Sequence, residues 1–363
     1  MMKIVKILMF TSLVFFQVSC IQEDDTPVVV PPITGAVVEP NVGGATQPNQ
    51  VWIDLASNTI KVTPREIWDL GFYAGDEFRV SLNSSLMMAV GKVENVRTLN
   101  EVTSHSVSGL KSLVQVANFQ NNSQYIDHPN GQLLTQASGI EPIKEIDEEN
   151  PIYLLNMGYT IYQGNTVPGS VYTMGEPRGW KKIRILRRSN AYLLQFADLD
   201  DPTYQEFLIT KDSNFNFQFF SFQTGSVVDV QPKKKNWDIC FTVFTNLTST
   251  GAFETSYVFS DFVINNTLAN VAAYQVTTDI GQGEIEYNNF KLEDIDHSKF
   301  ITNDQRVIGS NWRTTTGANG AEVYNNKFFV LKNSEGFYFK IRFLRMKNEQ
   351  NYRGYPQFEY KAL

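Results

Sequence analysis

The chain has 363 residues, of which 31 are basic and 38 acidic, for a formal net charge of -7. This balance excludes a general nucleic-acid binder, and the two basic clusters, at 181–188 and 233–235, are typical of a solvated strand face and a loop. Two cysteines exclude a disulfide framework, so stability must come from packing, for which 26 Phe, 16 Tyr and 5 Trp supply one or two cores.

Residues 1–19 predict a bacterial lipoprotein signal peptide. Two lysines precede an apolar run that extends from residue 7 to about 18, and Ser19 places a small residue before Cys20. The apolar run is too short for a transmembrane helix and has the anatomy of a secretion signal. We therefore expect a lipid on Cys20. The alternative is an ordinary signal peptide with an accidental cysteine, since Gln17 suits a lipobox poorly.

Residues 20–49 predict an extended tether that follows the anchor cysteine. This stretch carries an acidic run at 23–25, five of the fourteen prolines and no aromatic residue. Proline-rich chain without large apolar side chains stays extended and has little to bury. The folded part of the protein is therefore expected to begin near residue 50.

Beyond residue 50 the chain alternates between apolar and polar residues in short runs, as at 182–187 and 337–343, with Gly, Asn and Asp between the runs. This period of two, broken at hairpin intervals, predicts β-strands joined by tight turns. The one candidate helix is 107–116, where apolar residues fall at helical spacing but Gly109 weakens the pattern, so helix and loop both remain open. The predicted fold class is all-β.

An internal repeat divides the aromatic-rich part of the chain. The pattern at 60–72 recurs at 228–241, and the run at 180–187 recurs at 338–345. A repeat of this length predicts two related antiparallel β units, which we place at 50–203 and 204–363. Each is long enough to hold its own core, although the two halves are also compatible with one continuous sheet system.

A Trp-Asp pair stands at the centre of each repeat, as Trp68-Asp69 and Trp237-Asp238. No histidine or second acid recurs beside either aspartate, so we expect a structural role: a buried Trp, and an Asp that accepts backbone N–H groups at a strand end. Strand alternation predicts Trp237 on the same face as residues 239 and 241, with Asp238 and Cys240 on the other face. Cys240 is expected to be a small buried side chain.

Several ordered motifs of the second unit carry a family resemblance. They lie at 219–228, 236–241, 312, 328–332, 336, 340–343 and 358–360. With these motifs the second unit resembles the HmuY-like haem-binding lipoproteins of Bacteroidota, and the first unit shares the resemblance more weakly at 68–72 and 182–186. The acidic run at 23–25 also resembles the surface-export signal of lipoproteins from that phylum. The resemblance implies an all-β fold, anchoring at the outside of the outer membrane, and capture of haem for a TonB-dependent outer-membrane receptor.

The resemblance also implies which residues would bind haem iron, because it implies His or Met as the axial ligands of the iron. In the second unit the expected position reads Thr316-Gly317 and offers no donor, whereas the comparable place in the first unit reads Met157-Gly158. Upstream, a turn carries His128. We therefore predict His128 and Met157 as the haem-iron pair. The alternatives are an exposed turn residue for His128 and core filling for Met157.

The other two histidines, His105 and His297, lack the spacing of a metal site or of a Ser-His-Asp triad, so no enzyme activity is predicted. The predicted function is a lipid-anchored surface protein that binds haem or a related tetrapyrrole for uptake. The alternative is a lipoprotein of the same fold that has lost haem ligation and binds a receptor, a glycan or another protein.

Overall fold

The computed structural model describes residues 30–136, 138–317 and 320–363, and the predicted signal peptide and Cys20 lie outside these residues. The predicted all-β fold is confirmed. The strands of the described residues are β1 (Gly35–Val38), β2 (Asn49–Asp54), β3 (Thr59–Pro64), β4 (Leu70–Tyr73), β5 (Val80–Leu82), β6 (Ala89–Val93), β7 (Ile152–Asn156), β8 (Trp180–Arg188), β9 (Ala191–Asp198), β10 (Gln205–Thr210), β11 (Phe217–Ser221), β12 (Ser226–Val228), β13 (Ile239–Ser249), β14 (Glu254–Asn265), β15 (Ala272–Thr277), β16 (Arg313–Gly317), β17 (Gly320–Val323), β18 (Lys327–Lys332), β19 (Tyr338–Lys347) and β20 (Arg353–Ala362).

Helices are short and few in the part of the chain that the structure describes. Two are α-helices, α1 (Ser108–Leu113) and α2 (Gly283–Asn289). Helix α1 lies inside the segment that the sequence left open and ends well before residue 116. The 3-10 helices are Gly44–Thr46, Ser84–Leu86, Leu99–Glu101, Ser123–Tyr125, Asp147–Glu149, Thr267–Ala269, Leu292–Asp294 and His297–Lys299. No helix among the described residues has the length and apolar character needed to cross a membrane.

Two five-stranded antiparallel sheets are built alike. One has the order β10-β9-β8-β7-β6 and the other the order β1-β20-β19-β18-β15. The register is matched as well: Ala89 pairs with Asn156 in the first sheet, and Ala272 pairs with Lys332 in the second. Strands β6, β7, β8 and β9 correspond in order to β15, β18, β19 and β20, which confirms the predicted internal repeat. The fifth strand differs in origin, since β10 follows β9 in the chain whereas β1 precedes all the other strands.

Two four-stranded sheets mix strands from the two halves. The pairing of β11 with β4 gives the order β12-β11-β4-β5, and the pairing of β13 with β2 gives the order β14-β13-β2-β3. Phe220 lies opposite Leu70 in one sheet, and Ile239 lies opposite Ile53 in the other. The hairpin β2–β3 of the first half therefore joins the sheet of β13 and β14, and the hairpin β11–β12 of the second half joins the sheet of β4 and β5. We call this arrangement the exchange of hairpins.

The two main hydrophobic cores are divided along the chain in the same way as the exchanged hairpins. One, which we call the continuous core, is built from buried side chains between residues 70 and 220. The other, the split core, combines residues 38–56 with residues 239–360. The boundary between the cores thus differs from the predicted boundary at 203, because β10 and β11 add Ile209 and Phe220 to the continuous core. Whether either half folds alone stays a prediction.

Strand β1 corrects the predicted tether. It falls within 20–49, yet it pairs with β20 along its whole length, and Val38 is buried in the split core. The composition of this stretch is poor in aromatic residues, but an edge strand needs only backbone pairing and one inward apolar side chain. The folded part of the chain therefore begins before residue 50.

The Trp-Asp motif is structural, as predicted, with one correction. Trp68 and Trp237 are 6% and 5% exposed, and both aspartates are buried. Trp237 packs with Cys240, whereas Ile239 and Phe241 belong to the split core. The prediction that Trp237 shares a face with those two residues is wrong, because β13 begins only at Ile239 and its alternation does not extend back to Trp237. Cys240 is fully buried, and burial raises the pKa of its thiol.

Candidate functional site

A cavity of about 140 Å³ opens between the two four-stranded sheets. The exchanged hairpins form its walls, so residues from both halves of the sequence meet there. Each sheet packs one face on its own main core and turns aromatic side chains of the other face toward this space. The aromatic residues that line the cavity are Trp52, Trp68, Phe217, Phe219, Trp237 and Phe244.

The aromatic side chains of the cavity pack edge to face. Trp52 and Trp237 have ring centroids 4.8 Å apart at an interplanar angle of 81°, and Trp68 and Phe219 are 4.6 Å apart at 71°. Edge-to-face packing places the positive edge of one ring on the negative face of the next. Trp68 also donates from Nε1 to Gln50 Oε1 at 2.8 Å. These contacts fix the wall of the cavity.

Several polar atoms of cavity-lining residues have no hydrogen-bond partner among the described residues. They are Nε1 of Trp52 and of Trp237, Oε1 of Gln231, and both amide atoms of Asn265. All four residues are at most 5% exposed. Leaving such a group buried and unpaired costs roughly 1–3 kcal/mol, and native proteins contain few of them. Each of these atoms exposes less than 1 Å², so they belong to the lining residues without facing the open space of the cavity.

One wall of the cavity is a loop segment, residues 127–136, which we call the covering segment. Asp127 accepts hydrogen bonds from the backbone N–H of Leu82 at 2.6 Å and from the hydroxyl of Ser138. Burial raises the pKa of Asp127 to about 6, against the lowering effect of these hydrogen bonds. Gln305, from the other half of the chain, donates its side-chain amide to Pro129 O at 2.9 Å. The covering segment is thus fastened on both sides.

His128 lies in the covering segment and lines the cavity. Its Nδ1 accepts a long hydrogen bond of 3.4 Å from the backbone N–H of Asn130, and the side chain is half-buried. Met157 directly follows β7, is 3% exposed and packs in the continuous core. The lining of the cavity includes His128 and does not include Met157. The structure therefore does not bring the predicted pair together at this cavity.

The expected correspondence between Met157 and Thr316 is wrong. Strands β7 and β18 correspond, so the residue that corresponds to Met157 is Asn333, which directly follows β18. Thr316 lies in the hairpin of β16 and β17 and is exposed. The spacing from Lys182 and Lys340 misled the prediction, because the connection from β7 to β8 spans residues 157–179 whereas the connection from β18 to β19 spans only residues 333–337. The same offset therefore falls just after β7 in one half and before β18 in the other.

The other candidates from the sequence lie apart from the cavity. His105 and His297 are exposed, and His297 is in a 3-10 helix with its ring against Tyr338. No group of three or more His, Cys, Asp or Glu in the described ranges could hold a metal ion. Sequence patterns did not single out Gln231 and Asn265. The only sequence signal for Asn265 was its position before an Asn-Thr turn that repeats Asn83-Ser84.

Comparisons with known proteins agree with the repeat. The family model described as HmuY protein matches residues 46–198 and again residues 213–360. A solved structure, apo PinO from Porphyromonas gingivitis, is 13% identical over 49% of this chain and 94% of its own chain, but a TM-score of 0.17 supports no inference about fold. No curated protein matches. Because the two matches together cover most of the sequence, the chain belongs to the HmuY protein family and carries the family's domain twice.

Proposed function

We propose that this protein is a cell-surface lipoprotein that binds a small ligand in the cavity between the four-stranded sheets. The observation that carries the proposal is the cavity itself, whose aromatic walls come from both halves of the chain. Largely preformed clefts with apolar walls and a few polar groups are the usual form of small-molecule sites. The proposed role is binding, not catalysis, and the family is one of binding proteins.

Haem or a related tetrapyrrole is the ligand class that family membership favours. His128 on the covering segment supplies one nitrogen that suits haem iron. Met157 would have to come from the continuous core, and no Lys or Arg stands among the described residues that line the cavity to meet the two propionates. Sites for drug-sized ligands measure about 300–1,000 Å³. The cavity of about 140 Å³ therefore does not fit haem unless the covering segment moves outward.

These observations favour a second candidate function, a surface lipoprotein of the same fold that has lost haem ligation and binds a different ligand, such as a glycan or a partner protein. The small cavity supports this candidate, because a lining without Lys or Arg matches a ligand without the size and charge of haem. Delivery of haem to a TonB-dependent receptor is part of the first candidate function only. In the second candidate function the protein would have a different partner.

A haem titration of the purified protein separates the two candidates. If haem is the ligand, wild type should develop a shifted Soret band, with His128→Ala weakening binding more than Met157→Ala. Thr316→Ala is the matched control, because the residue is exposed and distant in sequence from both donors. Identical spectra for wild type and His128→Ala would remove His128 as a ligand. No spectral change with wild type would favour the second candidate.

The membrane anchor is a separate part of the proposal. We expect a lipid with two or three acyl chains on Cys20, because a single chain binds membranes only marginally. Cys20→Ser should release the protein from the membrane fraction. Protease added to intact cells should digest the wild type if it is displayed outside. Membrane association that survives Cys20→Ser would contradict the anchor, and full protection from protease would contradict surface display.

A further inference from the structure

The covering segment is anchored in hydrophobic clusters at its two ends and at neither of its faces between them. Ile126, just before it, packs with Met87 and Ala89, and Ile140, shortly after it, is fully buried in the continuous core. No described residue from 127 to 139 belongs to a hydrophobic cluster. A stretch with so few buried apolar contacts opens at a lower free energy than the sheets beside it. The covering segment can therefore leave the cavity while its ends stay in place.

Hydrogen bonds hold the middle of the covering segment to the first half of the chain. Asp127 accepts one from the backbone N–H of Leu82 at 2.6 Å, next to the anchored end. Arg79 Nη2 donates to Leu134 O at 2.8 Å, and the side chain of Leu134 is exposed. These bonds are directional and break with a small displacement, whereas burial of apolar area does not.

One residue of the second half, Gln305, holds the covering segment from the other side. Its side-chain Nε2 donates to Pro129 O at 2.9 Å, and its backbone N–H donates to Asn130 O at 2.9 Å. Gly131 leaves room for this side chain, since a Cβ at that position would lie 2.6 Å from Gln305 Cδ. Gln305 thus joins the long connection before β7 to the corresponding connection before β18, across the seam between the two repeats.

Gln305 itself is fixed to the second half. Its backbone carbonyl accepts a hydrogen bond from Asn265 N at 2.8 Å, at the end of β14. The next residue, Arg306, donates to Asp304 Oδ1 at 2.8 Å and to Asn246 Oδ1 on β13 at 2.9 Å. Outward movement of the covering segment would therefore separate it from Gln305 and leave Gln305 where it is.

The volume of the cavity requires such a movement. The cavity measures about 140 Å³, and sites for drug-sized ligands measure roughly 300–1,000 Å³. We infer that the covering segment is a lid that moves outward about its ends at Ile126 and Ile140, and that Gln305 is the latch that closes it against the second half. The inference rests on the proposed function, because it concerns access to the same cavity, and it applies to both candidate ligands.

Gln305→Glu tests the latch without a ligand. The change keeps the size of the side chain but replaces the Nε2 donor by an oxygen that faces Pro129 O. Amide hydrogen exchange in residues 127–136 should become roughly fivefold faster, since one hydrogen bond of the closed state is lost, while exchange in β8 and β19 should stay at the wild-type rate. Gln350→Glu is the matched control, because Gln350 is exposed in the turn between β19 and β20. Wild-type exchange in 127–136, or equal acceleration in β8, would overturn the latch.

Acrylamide quenching of tryptophan fluorescence reports whether release of the latch opens the cavity. Three of the five tryptophans, Trp52, Trp68 and Trp237, line the cavity and are buried. Quenching should therefore be stronger in Gln305→Glu than in wild type, and Gln350→Glu should be quenched like wild type. Equal quenching of all three proteins would contradict the lid, because it would mean that the cavity stays closed when the latch is lost.

The lid and the haem proposal fail separately. Haemin is the probe for the second, and if haem is the ligand, Gln305→Glu should bind haemin faster than wild type in a stopped-flow measurement at the Soret band. No Soret change in either protein, together with faster exchange in residues 127–136 of Gln305→Glu, would remove haem from the proposed function and support the lid. Haemin binding at the same rate by both proteins, with exchange at the wild-type rate, would support haem and reject the lid.

Discussion

Asp69 and Asp238 are corresponding residues of the two repeats, and only Asp69 has a cationic partner among the described residues. Arg178 Nη2 lies 2.7 Å from Asp69 Oδ1, while Asp238 is held by one backbone hydrogen bond from Leu55 N at 2.9 Å. Both carboxyl groups are buried. The same sequence motif is therefore used once as an ion pair and once as an isolated buried acid.

Asp238 should make stability depend on pH. Burial raises its pKa from 3.8 to about 8, so the folded state keeps the proton over a range in which the unfolded state releases it. Stability contributed by this proton is fully present below about pH 4 and is lost as pH rises toward 8, at roughly 1.4 kcal/mol per pH unit at most. Asp238→Asn cannot ionise, so its free energy of unfolding should improve relative to wild type between pH 5 and pH 8.

Urea unfolding of wild type and Asp238→Asn at pH 5, 6.5 and 8 measures this difference. Asp229→Asn is the control, because the side chain of Asp229 is 79% exposed and its replacement should shift stability little at any pH. A constant difference between wild type and Asp238→Asn across the three pH values would show that Asp238 does not titrate in this range.

Arg178→Ala should destabilise the protein by about 3 kcal/mol. It leaves the Asp69 carboxylate buried without its ion-pair partner, and removal of one member of a buried pair costs roughly 3–5 kcal/mol. The double variant Arg178→Ala with Asp69→Asn should recover part of the loss, since the buried group is then neutral. Lys92→Ala is the comparison, because its ion pair with Glu141 is exposed and worth less than about 1 kcal/mol. Equal losses for Arg178→Ala and Lys92→Ala would contradict the buried-pair account.

The exchange of hairpins predicts which fragment folds. A fragment of residues 65–232 contains every strand of the continuous core, including β10 and β11, which supply Ile209 and Phe220. A fragment of residues 50–203 lacks those strands and carries β2 and β3, whose partner β13 is missing. We expect cooperative urea unfolding for 65–232 and none for 50–203, with circular dichroism as the readout. The opposite result would mean that the repeat in sequence is also the folding unit.

Strand content, the repeat and the burial of Trp68 and Trp237 could be predicted from the sequence, because period-two alternation and duplicated motifs are local signals. The exchange of hairpins between the two halves could not be predicted from the sequence. Alternation identifies a strand such as β2 but does not say whether β4 or β13 lies beside it. The cavity could not be predicted from the sequence for the same reason. Asn265 is separated from Gln231 by 34 positions and from Trp52 by more than 200, and only the fold brings them to one space. The roles of His128 and Met157 in haem binding stay predictions.

Lys182 and Lys340 are corresponding buried lysines that donate hydrogen bonds to backbone carbonyl oxygens. We expect Lys340 to stabilise the C-terminal end of helix α2. Lys340 Nζ donates to Tyr287 O at 2.6 Å and to Phe290 O at 2.7 Å, at the end of that helix, while Lys182 Nζ donates to Val102 O at 2.9 Å. Hydrogen bonds from a charged donor contribute roughly 1.5–3 kcal/mol, and their loss leaves buried carbonyls unpaired.

Lys340→Met keeps most of the apolar stem and removes these bonds, so we expect a loss of about 2 kcal/mol in the free energy of unfolding and faster amide hydrogen exchange in α2. Lys235→Met is the control, because Lys235 lies in an exposed turn and should change neither quantity. Exchange in α1, which Lys340 does not contact, should also stay unchanged. If Lys340→Met unfolds at the wild-type urea midpoint and α2 exchanges at the wild-type rate, the lysine does not secure the helix end.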